Sequence, residues 1–366
     1  MKICFVAGAR PDFVKLTPLI WATKKAQNEG VNIDYTLLYI GIEGHDTLEG
    51  SLFSDLQIAK PNDCIYTVDS TLNGITSQVM KAFEAFLNDN PADVVVVANN
   101  LASTMAVAIV TKAHHTLLAQ VIAGTRSFDM NMPKEINRVV IDGLSDYLFT
   151  AGMSNNYIAN REGADMSKVY MVGDVLMDTL RYNNGRWICP DIFSKLNLCA
   201  GKFILFTLNR KELLNRPSII KKMVEAIVEE CNGIKIIAPL RDKAAELMRA
   251  VNLPSYFHIV KPLSFLEFGY LSIRAMGIVT DSDNIAEEAT FNHVPCITMN
   301  SFSEHLETVK DGSNVLVGED ATEMKNYIRT MVEGKWKKSR LPEMWDGHSG
   351  ERIIHVLLKD RQEAHY

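Results

Sequence analysis

Ile3-Cys4-Phe5-Val6-Ala7 runs into Gly8-Ala9-Arg10-Pro11-Asp12 and on into Phe13-Val14-Lys15-Leu16-Thr17-Pro18-Leu19. A short unbroken apolar run closed by glycine reads as a strand buried on both faces. Pro11 suits the first turn of a helix, and the residues after it continue one. A strand that passes through a glycine turn into a helix is the opening unit of a parallel α/β sheet. Gly8 is expected to permit the tight turn. Arg10 then stands at a helix N-terminus, where anions are favoured, and its guanidinium matches a phosphate by fork-like hydrogen bonding. An ordinary turn with a solvent-facing arginine is the other reading, and no GxGxxG or Walker sequence decides between them.

The same alternation continues outward. Strands are expected at 3–7, 34–40, 63–67, 93–98, 117–122, 146–150 and 168–172, with helices at 11–28, 70–88, 101–114 and 134–145. The stretch 182–200 breaks this rhythm and reads as a linker or hinge. Apolar runs resume at 203–207, 234–239, 258–260, 277–280 and 296–298, and a last helix is expected at 351–362. At 366 residues the chain exceeds one ordinary core. The expected domains are therefore 1–181 and 201–348, with 349–366 as a C-terminal helix. Two such α/β halves would hold a ligand cleft between them, facing the carboxyl ends of their strands.

Composition narrows the function classes. Apolar residues make up 47% and charged residues 22%, which is globular rather than disordered or fibrous. The net charge is −6 with cations spread along the chain, so neither nucleic acid nor an acidic membrane surface is an expected partner. The N-terminal apolar run is broken by Arg10 and reads as a core strand rather than a signal peptide. No stretch approaches the ~18 apolar residues of a membrane span. Cys4, Cys64, Cys189, Cys199, Cys231 and Cys296 include no CxxC pair, and are expected to be buried free thiols in a reduced compartment, the cytoplasm. His114 and His115 are adjacent, while His45, His293 and His305 are isolated, so no metal site is expected. A GxSxG nucleophile elbow is absent too.

A second turn leaves a strand and enters a helix at Thr280-Asp281-Ser282-Asp283-Asn284-Ile285-Ala286-Glu287-Glu288-Ala289. Ser282, Asp283 and Asn284 are expected to cap that helix and leave N–H groups facing the cleft. A glutamate one turn further on can accept two hydrogen bonds from ribose hydroxyls. A capped helix with surface glutamates is the plainer alternative.

Five segments, 8–19, 93–104, 123–138, 173–180 and 280–289, resemble in order and spacing the non-hydrolysing UDP-N-acetylglucosamine 2-epimerases, with 209–212 and Pro239 in support. The resemblance implies two Rossmann-like domains in the GT-B arrangement, UDP or a UDP-sugar in the cleft, no cofactor, and a homodimer. It implies that the last helix crosses back onto the first domain. In that family a base removes the C2 proton while the anomeric C–O bond to UDP breaks, and UDP adds back to the resulting glycal. Such chemistry needs acid or base groups on both faces of the sugar and cationic donors for the departing phosphate.

Carried over residue by residue, Arg10, Lys15 and Arg138 match the family's nucleotide-binding positions, as do the phosphate-turn Ser282 and the ribose-binding Glu288. Asp93, Arg210, Glu212, Pro239 and Glu304 keep the family's residue type. The reactive positions differ. The family's His-Gly-Asp-Thr is Ala98-Asn99-Asn100-Leu101, and the glutamate of Val-Glu-Ala-Gly-Leu-Arg is Ile122. The first glutamate of Pro-Glu-Glu is Lys134 beside a retained Glu135, the histidine of Gly-His-Arg-Arg-Glu is Asn209, and a further histidine is Arg241. The phosphate-turn glycine pair is Asp283-Asn284, which adds bulk and negative charge where the diphosphate would lie. Arg-Asp-Thr-Thr-Glu-Arg reads Asn300-Ser301-Phe302-Ser303-Glu304-His305.

Asparagine and isoleucine do not titrate near neutrality and cannot act as bases. Lys134, Glu135 and Asp129 are the candidate catalytic groups that remain, with Asp174 and Asp283 as further polar groups. Three readings follow. The chain processes a UDP-sugar in surface-polysaccharide metabolism by chemistry other than standard 2-epimerisation, or it is a silent nucleotide-sugar-binding or partner protein, or it epimerises with relocated groups.

Overall fold

The structure, a computed structural model, describes residues 1–363 apart from 45 and 49; His45 and residues 364–366 lie outside the described residues. The chain forms two compact units, Met1–Tyr182 with Glu343–Tyr366, and Asn183–Pro342.

The first unit is built on seven parallel strands: β1 (Lys2–Ala7), β2 (Asp34–Gly41), β3 (Asp63–Tyr66), β4 (Val94–Val97), β5 (Leu117–Gln120), β6 (Tyr147–Thr150) and β7 (Val169–Met171). Their order across the sheet is β3-β2-β1-β4-β5-β6-β7. β4 is four valines, all buried, because helices cover both faces of the sheet at its centre. β3 lies at the edge, which is why its Asp-Cys-Ile-Tyr is mostly exposed.

The second unit carries β8 (Phe203–Phe206), β9 (Lys235–Pro239), β10 (Phe257–Val260), β11 (Gly277–Thr280), β12 (Cys296–Thr298) and β13 (Asn314–Leu316), ordered β10-β9-β8-β11-β12-β13 and all parallel. β13 was not anticipated: it is three residues long and opens on a buried asparagine whose amide oxygen accepts from Thr298 Oγ1 at 2.6 Å. Residues 183–200 lie in this unit, where Ile188 N donates to Leu266 O and Trp187 packs flush on Gly269.

The returning segment is built into the first unit. Trp345 is 1% exposed and donates from Nε1 to Ala151 O at 3.0 Å. Asp178 then caps the last helix, Ser349–Glu363, by accepting from Ser349 N and Gly350 N at 3.0 and 2.8 Å. That helix lies against Arg10–Asn28 so closely that a Cβ on Gly350 would stand 2.7 Å from the Pro18 backbone. Gly173, at φ +92°, gives way to Met344 O in the same manner.

Cys4, Cys231 and Cys296 are buried, and burial pushes each thiol up to about 12. Cys64, Cys189 and Cys199 are exposed, contrary to the expectation of buried thiols, because Cys64 sits on the edge strand and the other two on the chain leading into the second sheet. Among the described residues no helix is long and apolar enough to cross a membrane.

Truncating the indole anchor leaves a large cavity and an unpaired carbonyl. Trp345→Ala is expected to lower unfolding free energy by about 3–5 kcal/mol in urea titrations.

Candidate functional site

In a parallel sheet the loops leave in opposite directions where the strand order reverses, and a crevice opens at the carboxyl ends of the two strands involved. In the first unit that point lies between β1 and β4, paired through Val6 and Val97. Gly8-Ala9-Arg10 follows one strand and Ala98-Asn99-Asn100 the other. Gly8 is needed for close approach rather than for a left-handed turn: a Cβ there would meet Leu101 Cδ1 at 3.0 Å and Ile40 O at 3.3 Å. Arg10 opens the helix Arg10–Asn28, with Lys15 buried further along it.

One carboxylate oxygen joins the two loops. Asp12 Oδ2 accepts from Gly8 N and Ala9 N, both at 2.8 Å, and from Asn99 Nδ2. The other end of that amide accepts from Leu101 N at 3.0 Å and from Thr104 Oγ1. Burial pushes the Asp12 carboxyl up to about 6 against the pull of these donors and of Lys15.

Asn100 lies in a second buried network. In the orientation that satisfies both ends of its amide, it accepts from Arg138 Nε at 3.3 Å and donates to Asn99 O at 3.2 Å. Asn137 Nδ2 donates to Asn100 O at 2.9 Å, and Gln120 at the end of β5 lies 3.2 Å from the Asn100 amide. Arg138 pairs with Glu135 at 3.0 Å, both buried. Glu135 also accepts from Ser127 N, Ser127 Oγ and Phe128 N at 2.8–2.9 Å. Burial raises its carboxyl, but these hydrogen bonds outweigh it and hold the group below the usual range.

The three candidate catalytic groups have different surroundings although they share one loop and helix start, with Asp129 N and Glu135 Oε2 both on the Ser127 hydroxyl. Glu135 points inward and is saturated with donors; Lys134, its neighbour on the helix Pro133–Leu144, is exposed. Adjacent helical residues do not face each other. Asp129 is exposed and closes its own loop by accepting from Asn131 N and Nδ2 at 3.0 Å. Ile122 is buried, and Arg126 beside it is consumed by ion pairs with Asp142 and Glu162 at 2.8 and 2.5 Å.

The second unit repeats the device at its own reversal point, between β8 and β11. Asp281 Oδ2, after β11, accepts from Asn209 N at 2.8 Å and Arg210 N at 2.6 Å, after β8. Burial raises this carboxyl despite both amides. Ser282 is the N-cap residue of the helix Asp283–Phe291, yet its hydroxyl makes no capping bond; the short polar residues do not cap as expected. Asp283 instead accepts from Asn300 Nδ2 at 3.4 Å and Glu304 N at 3.3 Å, so its charge is directed to the 300–304 loop. Asn284 is half-buried, Asn209 is exposed at its side chain, and Arg210 reaches Met299 O at 3.2 Å and Glu319 at 3.8 Å.

Sequence reasoning named Asn99 as a replaced motif position and Glu287, beside Glu288, as a candidate ribose acceptor. It passed over the contacts of Asp12, Asn99 and Asp281 and the pairing of the buried Glu287 with His305, 3.5 Å apart. Asp12 alone carried a local signal, an acid three residues past the turn that it caps. Next to that pair Glu288 is also buried, and burial first, then the Glu287 charge, pushes its carboxyl up to about 8. A carboxyl raised on folding stabilises the fold fully below its unfolded value near 4.5, and this contribution is lost as pH rises to about 8. Glu288→Gln is thus expected to match the parent at pH 4.5 and to exceed it by about 2–4 kcal/mol above pH 8, read from urea unfolding across pH.

Comparison with known proteins agrees with this geometry. The profile of a family described as UDP-N-acetylglucosamine 2-epimerase matches residues 25–358. The UDP-N-acetylglucosamine 2-epimerase of Methanocaldococcus jannaschii is 31% identical, over 98% of this chain and 99% of its own. A UDP-2,3-diacetamido-2,3-dideoxy-D-glucuronate 2-epimerase of Pseudomonas aeruginosa is 29% identical over 98% of this chain and the whole of the relative. The crystal structure of the M. jannaschii enzyme in complex with UDP-GlcNAc and UDP superposes with a TM-score of 0.86 at 30% identity, over 98% of this chain and 100% of that one. The two Rossmann-like units are thus of the GT-B-like class. With the profile spanning most of its length, this chain belongs to the UDP-N-acetylglucosamine 2-epimerase family.

Proposed function

We propose that this protein binds a UDP-sugar through Arg10, Lys15, Arg138 and Arg210 with Ser282, Asn284, Glu288 and Glu304, and that it does not carry out standard 2-epimerisation. The observation that carries the reading is the contrast at the β1/β4 reversal point. The Arg10 turn is braced by Asp12 and Asn99. Beside it, where the family motif has an acid, the neutral Asn100 is bound to Arg138. An amide can orient a cation or a sugar hydroxyl, but it cannot take the C2 proton. Glu288, held protonated by burial, is a donor and acceptor for ribose hydroxyls; a ligand that favours its carboxylate would release a proton on binding.

Chemistry other than C2 epimerisation, on a nucleotide sugar of surface-polysaccharide metabolism in the cytoplasm, is the first form of this proposal, with a homodimer as the working assembly. The second form is a silent binding or partner protein. It is favoured by the exposure of Lys134 and Asp129 and by the saturation of Glu135, which give the candidate groups different surroundings.

Calorimetric titration of the full chain with UDP and UDP-GlcNAc tests the binding claim. Saturable heat is expected, with Arg10→Ala weakening affinity at least about tenfold through a lost charge-assisted contact. No heat at millimolar nucleotide would sink the proposal. A panel of UDP-hexosamines with and without acceptors separates its two forms.

A further inference from the structure

We propose that Asn99 is a positioning residue of this site, whose carboxamide carries the Gly8-Ala9-Arg10 turn, through the Asp12 carboxylate, on the start of the helix Ala102–Ala113. The proposal rests on the nucleotide-binding role given above to the Arg10 turn.

Three observations support it. First, the contact crosses the reversal point of the sheet, where no strand pairing continues past Val6 and Val97 to hold the two loops together. Second, both ends of the amide are used: Nδ2 donates to Asp12 Oδ2, and Oδ1 accepts from Leu101 N and Thr104 Oγ1. An amide so fixed has one orientation, and it presents an N–H donor to Asp12. Third, the same Asp12 oxygen accepts the Gly8 and Ala9 amides, so displacing the carboxylate releases the backbone that aims Arg10. The family motif resembled by residues 98–101 has glycine in place of Asn99, and a glycine has no side chain to make this contact.

The strut has a charge signature. Lys15, on the same helix, is the charged group acting on Asp12. The β1 end contributes peptide N–H groups, β2 the Ile40 carbonyl, the loop after β4 Asn99 and Leu101, and the helix Ala102–Ala113 Ser103 and Thr104, none of which titrates in the working range. Asp12 must be ionised to accept three donors on one oxygen, and burial brings its carboxyl up to about 6. In the parent chain the turn is therefore braced above that pH and loosens below it. Asn99→Asp changes the sign. Two carboxyls at this distance share one proton at low pH, preserving the link, and repel once both ionise.

The test is calorimetric titration of UDP into the full chain from pH 5 to 9. The parent is expected to lose affinity as pH falls through about 6. Asn99→Asp should bind like the parent near pH 5.5 and at least about tenfold more weakly at pH 9, an inverted profile. Thr104→Val, which removes one of the two donors to the far end of the amide, should weaken binding at all pH values. An Asn99→Asp profile parallel to the parent's and within about twofold overturns the proposal.

Backbone NMR titration of the Gly8 and Ala9 amides reads the strut without nucleotide. Their midpoint should move up by at least one pH unit in Asn99→Asp, and an unmoved midpoint overturns the inference even in a chain that binds no UDP. Should Asn99→Asp fail to fold, the Thr104→Val titration and amide shifts decide. A parent that binds no UDP counts against the proposed function alone.

Discussion

Parallel strands leave a gap where their order reverses, because the loops on either side depart toward opposite faces of the sheet. In this protein a buried carboxylate closes that gap in each unit. Asp12 links the loops after β1 and β4, and Asp281 links those after β11 and β8. Both carboxyls are raised by burial while backbone and side-chain donors pull the other way. Burying such a group is costly unless its hydrogen bonds are made, so each aspartate fixes its surroundings as firmly as it is itself fixed. The Arg10 turn and the Ser282 turn take their shape from these two contacts.

Around the first of them the polar side chains form a buried network, in which Gln120 Oε1 finds no partner among the described residues, with little freedom to exchange protons. Asn99, Asn100, Gln120 and Asn137 are amides, Arg138 is paired with Glu135, and Glu135 accepts four donors. Such an arrangement is rigid and well suited to orienting a bound anion or sugar. It is poorly suited to abstracting a carbon-bound proton, which requires a base with an available lone pair and a matched proton affinity. The proposed binding residues, standing beside uncharged side chains at positions 100 and 122, are the combination on which the functional reading depends.

Most of the fold was legible in the sequence because most of its strands are short, unbroken apolar runs alternating with helical stretches. Val94–Val97 and Phe203–Phe206 could hardly be read otherwise, and their placement holds to within a residue or two. β13 escaped because three residues opening on asparagine carry no hydrophobic pattern. The positions of the two turns were legible, since each follows a clear strand. Their bracing was not: Asn99 reaches Asp12 across 87 positions and Asp281 reaches Asn209 across 72, and no local pattern encodes such pairs. The contacts of Asp283 were hidden for a related reason. Its charge is directed to Asn300 and Glu304, which only the folded strand order brings beside it.

The most direct measurement is proton NMR of UDP-GlcNAc incubated with the protein in D₂O. The account predicts line-broadening or saturation transfer on the nucleotide sugar, with no deuterium at C2 and no manno product. Deuterium entering C2 together with the 2-epimer would contradict it, and would require a base other than the residues at positions 100 and 122.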